Sequence, residues 1–362
     1  MKLQHLFTHK FAPGEIYLIP DAPFSILWDV CYVCNQRCRF CYNSEYKFQR
    51  SFPKEDVVKR IIDILCHWGI GEIIYLGGEP TLYPKLKDIV MQAHSHGIDQ
   101  RLITNGRMVA SELMEIFYQC NVEIGVSLHG INPKIHNNIT QTQKSFESAL
   151  ETIRRLSAAK VKWYIQYTPI QNTESFYAAA FQLKKIFPQL SLIDVNRLMP
   201  QGSGIDTVQN IISEDMFWNC LKDIPKIKQL GIRVSLESIP HCWVYSRSQT
   251  DNLSVSDQET IINAIRPCYM GINQIGLDDQ GRFKLCPGGE ACTESILEKD
   301  AKEIWLNSEC LQRRRRFDFL PQRCIDVKKA KACKYFYQCG GGCKMSLPKC
   351  SANHSVADYL IV

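Results

Sequence analysis

No apolar run in the 362 residues approaches the roughly 20 that a helix needs to cross a bilayer. The opening Met1-Lys2-Leu3-Gln4-His5 also lacks the apolar stretch of a secretory signal. Both absences point to a cytoplasmic protein with no membrane partner. Net charge is equally scarce: 43 Lys and Arg against 37 Asp and Glu leave only +6. The one dense basic run, Arg313 to Arg316, has no interleaved aromatics, so nucleic-acid binding is a weak reading. The run reads as a solvated helix face, or as a place to dock an acidic leader peptide or an acidic electron donor. No internal repeat or long low-complexity tract marks a solenoid or a disordered chain. With 45% apolar and 22% charged residues, the composition is that of a globular enzyme large enough for one α/β domain and a smaller appendage.

Cysteine, by contrast, is abundant, at 17 residues. In a reducing compartment that number speaks for metal ligands rather than a disulfide framework, and for sensitivity to oxygen. The most informative run is Cys34-Asn35-Gln36-Arg37-Cys38-Arg39-Phe40-Cys41-Tyr42. Three thiolates spaced C-x3-C-x2-C leave one iron of a four-iron cluster without a protein ligand, whereas structural zinc closes its shell with a fourth. A zinc knuckle or a set of buried thiols is the competing reading, and Cys31 with Cys34 forms a CxxC of its own.

Between Ser25 and Pro200 short β-rich runs alternate with longer amphipathic stretches, the pattern of repeated βα units around a parallel sheet. The pattern predicts strands at Ser25 to Tyr32, Glu72 to Leu76, Gln100 to Ile103, Val122 to Leu128, Lys162 to Thr168 and Leu192 to Arg197. Helices are predicted at Lys54 to Trp68, Pro84 to His96, Ser111 to Cys120, Ser145 to Ala159, Glu174 to Phe187 and Ser213 to Leu230. Six such units imply an α/β fold, a partial (β/α)6 TIM-like barrel, over 25–240. An extension over 1–24 precedes it, and a small cysteine-rich domain over 241–362 follows. Ile232 to Leu236 reads as the hand-off between the two, and Ser246 to Thr260 as a surface loop or short helix. The cysteine loop, Gly77-Gly78-Glu79-Pro80, Thr104-Asn105-Gly106, Ser127-Leu128-His129-Gly130 and Pro200-Gln201-Gly202 all follow strands. They therefore share the rim where barrel enzymes gather their reacting groups.

The cysteine spacing followed one strand later by Gly-Gly-Glu-Pro resembles the radical S-adenosylmethionine (SAM) enzymes. That resemblance implies a [4Fe-4S] cluster on Cys34, Cys38 and Cys41, with SAM on its open iron cleaved to a 5′-deoxyadenosyl radical. It also implies cofactor contacts from Gly77, Gly78 and Glu79 to the amino group, from Ser127 to ribose or carboxylate, and from Thr104 and Asn105 on the floor. Phe40 and Tyr42 would lie near adenine, and Asn196 and Arg197 would reach in from the sixth strand. His129 stands where many relatives carry Asp, and its role is open.

Cys268, Gly281-x4-Cys286, Cys333-x5-Cys339-x3-Cys343 and Cys350 resemble the SPASM extension, which holds two auxiliary [4Fe-4S] clusters. The usual tail has a CxxC whose first cysteine would fall at Ala330, and Cys324 is the nearest upstream substitute. The resemblance assigns Cys268, Cys286 and Cys343 to the nearer cluster, and Cys324, Cys333, Cys339 and Cys350 to the farther one. Cys292 is the candidate fourth ligand of the nearer cluster, and a zinc ribbon is the competing reading of the tail. Cys31, Cys66, Cys120, Cys220, Cys242 and Cys310 are left over. Cys66, Cys120 and Cys220 read as core, whereas Cys31 and Cys242 are thiols that could give a hydrogen atom to a radical.

Relatives with this extension modify ribosomally made peptides, which implies a precursor peptide as substrate, forming a thioether, a carbon–carbon or ether crosslink, or a related oxidation. A flavodoxin- or ferredoxin-type reductant is also implied. The roughly 24 residues before the first strand are too few for a fused leader-binding domain, so leader recognition falls to the barrel surface, the segment Phe11 to Pro20 or a separate small protein. Sulfatase-type maturation is disfavoured because Pro287, not an acid, follows Cys286. Haem-pathway decarboxylation competes with the peptide reading, and a structural zinc scaffold competes with any enzymatic one. No general base is legible, since Asp278 and Asp279 sit in a turn sequence and Glu290 has only proximity to the auxiliary cysteines.

Overall fold

The computed structural model describes residues 19–46, 51–170, 175–196, 202–203, 212–236, 239 and 241–315. Strands β1 (Ser25–Cys31), β2 (Glu72–Gly77), β3 (Asp99–Thr104), β4 (Glu123–Ser127), β5 (Trp163–Tyr167), β6 (Leu192–Val195) and β7 (Arg233–Leu236) pair in parallel in sequence order. Between them run α1 (Glu55–Trp68), α2 (Leu86–Ser95), α3 (Ser111–Gln119), α4 (Pro133–Thr140), α5 (Ser145–Ala158), α6 (Phe176–Ile186), α7 (Glu214–Lys222) and α8 (Ile224–Gln229). Local chemistry explains these elements. In α1 the apolar residues Val58, Ile61, Ile62 and Leu65 fall on one buried stripe, and Gly69 ends the helix in the left-handed region at φ 87°. Strand β5 is buried along its whole length, as a strand covered on both faces requires.

The α/β partial-barrel expectation holds, with element ends shifted by a residue or two. Ile232 to Leu236 is the expected strand, and as β7 it continues the parallel sheet beside β6. Ser246 to Thr260 takes the helical form of its two readings, in the end of α9 (His241–Thr250) and the start of α10 (Val255–Ala264). One detail differs. Ser213 to Leu230 divides into α7 and α8 at Asp223, where Pro225 cannot donate to a continuing helix.

The pattern also missed α4. Its eight residues give little more than two turns of pattern, yet Pro133 opens the helix and the Asn132 side chain accepts from the N–H groups of Lys134 and Ile135.

The chain after α10 returns to the same sheet. Strand β8 (Gln274–Leu277) pairs in parallel with β1, then β9 (Arg282–Lys284) and β10 (Ala291–Ser295) add antiparallel, giving ten strands ordered β10-β9-β8-β1-β2-β3-β4-β5-β6-β7. Helices α11 (Ala301–Asn307) and α12 (Glu309–Arg315) follow. On α12, within the basic run, Arg315 is turned inward: its guanidinium lies 4.3 Å over Trp305 and donates to Gly271 O at 2.8 Å.

A buried ion pair fastens this return. Lys284 on β9 pairs with Gly276 on β8, which pairs with Leu27 on β1. A Cβ on Gly276 would stand 3.0 Å from that of Lys284, so the glycine leaves the lysine free to cross the strand. The Lys284 ammonium donates to Asp29 Oδ2 at 2.9 Å, with both side chains no more than 5% exposed. Burial pushes the Asp29 carboxyl up to about 6 against the attraction of Lys284.

Removing one partner of such a pair strands a charge, so Lys284→Met should lose about 3 kcal/mol in urea unfolding, and Asp29→Leu/Lys284→Met should regain much of it. A carboxyl that holds its proton more tightly when folded makes stability fall as pH rises between its unfolded and folded values. Urea titrations from pH 4 to 6 should therefore show a smaller decline for Asp29→Asn than for the parent protein.

Candidate radical-cofactor site

Strand β1 delivers the chain to Cys31, which is fully buried. Its thiol faces two backbone carbonyls, Glu79 O at 3.7 Å and Val33 O at 3.9 Å, and burial holds its pKa well above the ordinary thiol range. Cys31 is thus placed as a packing thiol at the root of the loop. The glycines of the next strand explain why. Gly78 N donates to Cys31 O at 2.7 Å and Glu79 N to Val33 O at 2.9 Å. A Cβ on Gly78 would come within 2.4 Å of Val33 O and 2.6 Å of Tyr32 O, and one on Gly77 within 2.2 Å of Cys31 O. Gly77 also has φ 125°. The close approach that demands these glycines is to the cysteine loop itself, whereas the sequence suggested a ligand.

Glu79 is buried at 1% exposure. Its Oε1 accepts from Thr81 Oγ1 at 2.6 Å, Thr104 Oγ1 at 2.7 Å and Thr81 N at 3.2 Å, and its Oε2 accepts from Asn105 N at 2.7 Å. Burial raises its pKa and the four donors oppose the rise. Through these bonds the carboxylate locks the loop after β2 to the loop after β3. Asn105 extends the lock, because its Nδ2 donates to Asn35 Oδ1 at 2.8 Å and lies 3.9 Å from Cys34 Sγ.

Cys34, Cys38 and Cys41 are half-buried and stand close enough for each thiolate to disfavour its neighbours. Burial first, then the nearby Glu79, pushes Cys34 up to about 11, and burial holds Cys38 well above the usual range. Gln36, buried and unremarked in the sequence, supports two of them: its N–H lies 3.5 Å from Cys34 Sγ and its Oε1 3.5 Å from Cys38 Sγ. The overlooked helix α4 holds the loop from outside, with Arg37 N donating to Thr140 O, Arg39 N to Ile139 O and Arg39 Nη2 to Asn138 Oδ1. On the far side Ser203 N donates to Cys41 O at 3.0 Å. Asn43, also overlooked, donates to Gly77 O at 3.4 Å.

Among the other expected contacts, Ser127 ends β4 on the same rim. Phe40 meets His129 edge-on at 4.8 Å. His129 is buried and stacks on His136 at 5.6 Å, its backbone N–H donating to His136 Nδ1. Burial lowers the pKa of both imidazoles, that of His136 to about 4, so the pair is neutral. Tyr42 is half-buried in the loop, and Asn196 follows β6 with its N–H on Tyr167 O. Arg197 lies outside the described residues.

Of the C-terminal cysteines, Cys268 follows α10, Cys286 follows β9, and both are half-buried. Cys292 on β10 is buried, and its thiol hydrogen-bonds with Cys310 and Ser308. Cys324, Cys333, Cys339, Cys343 and Cys350 lie outside the described residues. Asp278 is a turn former, accepting from Gln280 N, Arg282 N and Arg282 Nε.

No three His, Cys, Asp or Glu side chains among the described residues are gathered tightly enough to hold one metal ion. Cys34, Cys38 and Cys41 nonetheless lie near enough in one loop to raise one another's pKa, and three soft thiols without a fourth protein ligand suit an iron–sulfur cluster, so the donor set fits the group that the spacing implies.

Two outcomes follow. Gly78→Ala should displace the Tyr32–Val33 backbone and cut reconstituted iron by about four per chain, read by iron analysis against circular dichroism. Because Cys34 and Cys38 are protonated at neutral pH and only thiolates bind iron, loading should release protons and proceed more readily at pH 9 than at pH 7. Absorbance during anaerobic reconstitution measures it.

Residues 28–176 match the family model described as the Radical SAM superfamily. The chain is 24% identical over 322 residues to the AdoMet-dependent heme synthase of Methanosarcina barkeri, covering 86% of this chain and 90% of that one. It is 27% identical over 192 residues to the mycofactocin maturase MftC of Mycobacterium tuberculosis, about half of each protein. Among solved structures, Streptococcus suis SuiB superposes with a TM-score of 0.68 at 16% identity, over 90% of this chain and 74% of that one. The AdoMet- and peptide-bound anSMEcpe superposes at 0.62 and 16% identity, over 93% and 92%. The cysteine loop, the glycine loop and the first five parallel strands thus fall within or border the stretch, residues 28–176, that is similar to the radical SAM family.

Proposed function

We propose that the protein cleaves S-adenosylmethionine reductively and uses the radical to abstract hydrogen from a ribosomally made peptide, installing a crosslink or a related oxidation. The observation that carries the reading is the three-thiol loop seated on Gly77-Gly78 and tied by Asn105 to the Glu79 knot. A cluster on Cys34, Cys38 and Cys41 would supply the electron that breaks the sulfonium bond. The protein supplies position: α4 and Ser203 hold the loop from two sides, and Phe40 packs edge-on against His129, which stacks on His136.

The peptide reading draws on the similarity to MftC and on the shared fold of SuiB, which has been solved with its precursor peptide SuiA. Tail clusters on Cys268, Cys286, Cys292, Cys324, Cys333, Cys339, Cys343 and Cys350 would accept the surplus electron, in the manner of a SPASM extension. A second reading, decarboxylation in haem synthesis, draws on the similarity to the heme synthase over most of both chains.

Reconstituted protein should hold about 12 irons and form 5′-deoxyadenosine with dithionite, and Cys34→Ala/Cys38→Ala/Cys41→Ala should keep about 8 and form none. Zinc in place of iron would sink the reading. Anaerobic incubation with an iron porphyrin bearing propionates separates the two substrates: a mass loss of carbon dioxide favours haem synthesis, and an unchanged porphyrin favours the peptide.

A further inference from the structure

Resting on the radical SAM reading, we propose that Arg266, aimed across the barrel interior by Asp194, receives a carboxylate of the substrate. Residues along a strand point alternately to opposite faces. Val126, Ile165, Ile193 and Val234 pack with the helices in the apolar core. Their neighbours Ser127, Gln166, Asp194 and Ser235 are register partners across β4, β5, β6 and β7, so they form one polar row on the other face, inside the barrel and level with the rim at the end of β4. Arg266 joins this row from a distant part of the chain. Ile265 bridges Leu236 at the end of β7 and Arg266 N donates to Leu236 O at 2.9 Å, whereas Asn273 O accepts from Ser25 N at the start of β1. Residues 265–273 therefore cross from the β7 edge to the β1 side, over the gap that a partial barrel leaves open.

The Arg266 guanidinium donates to Asp194 Oδ1 at 2.6 Å through Nη2. The Asp194 side chain is 11% exposed and that of Arg266 46%, so the anion anchors the arginine and leaves its other N–H groups open. Burial, then Asp194, pushes the Tyr164 hydroxyl above its ordinary range, while Arg101 and Arg266 oppose the rise. A Cβ on Gly125 would meet that hydroxyl at 2.8 Å, so Tyr164 leans over β4 inside the barrel, and the Arg266 charge acts there. Gln166 is 5% exposed, and among the described residues its amide has no hydrogen-bond partner. The acids of this face are taken or distant. Lys284 holds Asp29, Arg101 holds Glu72, and Asp99 and Glu123 open β3 and β4 at the end away from the cysteines. The groups left on the row are donors, which suit an acceptor, and the planar fork of a guanidinium matches a carboxylate. A cationic group would meet Arg266 instead, because Asp194, the one carboxylate of the row, is already paired. An acidic peptide residue and a tetrapyrrole propionate supply the same chemistry.

The test uses anaerobically reconstituted full-length protein and saturation-transfer NMR of glutarate, with glutaramide as its uncharged isostere. The wild type should bind glutarate, and glutaramide at least about tenfold more weakly. Arg266→Gln should weaken glutarate binding at least about tenfold with circular dichroism and iron content unchanged. Arg154→Gln, at an exposed ion pair on α5, should bind as the wild type does. If Arg266→Gln does not fold, Arg266→Lys decides: it keeps a cation beside Asp194 but loses the fork, so binding should still fall several-fold. Displacement of glutarate by haemin but not by haemin dimethyl ester supports a tetrapyrrole source, and displacement by N-acetyl-Gly-Glu-Gly amide supports a peptide source. Equal binding of glutarate and glutaramide, wild-type affinity in the Arg266 variants, or displacement by neither competitor would overturn the proposal. Formation of 5′-deoxyadenosine with dithionite in the same preparation would leave the radical SAM reading standing after that failure. Absence of 5′-deoxyadenosine would overturn that reading and the proposal with it.

Discussion

The site depends on one buried carboxylate. Glu79 accepts four hydrogen bonds from Thr81, Thr104 and Asn105, so two loops from adjacent strands are held in one rigid arrangement beneath the cysteines. In a low-dielectric setting such charge-assisted bonds are strong when complete and costly when broken. Everything above the knot takes its position from it: Asn105 reaches Asn35 and Cys34, and Gly78 and Glu79 bond the backbone at Cys31 and Val33.

A second constraint ties the C-terminal hairpin to the same machinery. The Asp29–Lys284 pair joins β1, which leads into Cys34, to β9, which leads into Cys286. The two cysteine-bearing segments therefore emerge from one continuous sheet, and their relative position is fixed by backbone pairing as well as by the ion pair. Such a pair contributes specificity of register more than net stability, because desolvation offsets much of its attraction.

Much of the barrel was legible because burial on both faces of each strand and one face of each helix leaves a strong periodic imprint. The exceptions share a cause. Helix α4 is only eight residues long and is fixed by its cap and its contacts with the cysteine loop, so its local pattern is too short to announce it. Strand β7 was legible as a strand, but its place beside β6 rests on pairing, a contact no local pattern encodes. Glu79 was legible as a site residue but not in its orientation, because two of its four donors come from Thr104 and Asn105, some 25 residues away in sequence.

The sequence by itself determined the chemistry: three cysteines at fixed spacing, a glycine pair one strand later, and a carboxylate beside it, since spacing along one loop sets which thiols can share one group. Tertiary structure alone decided what each part touches. It made Glu79 the fastener between two loops and Cys31 a packed thiol at the root of the cysteine loop. Those outcomes depend on which strands become neighbours, and that is fixed by long-range burial and pairing rather than by local order.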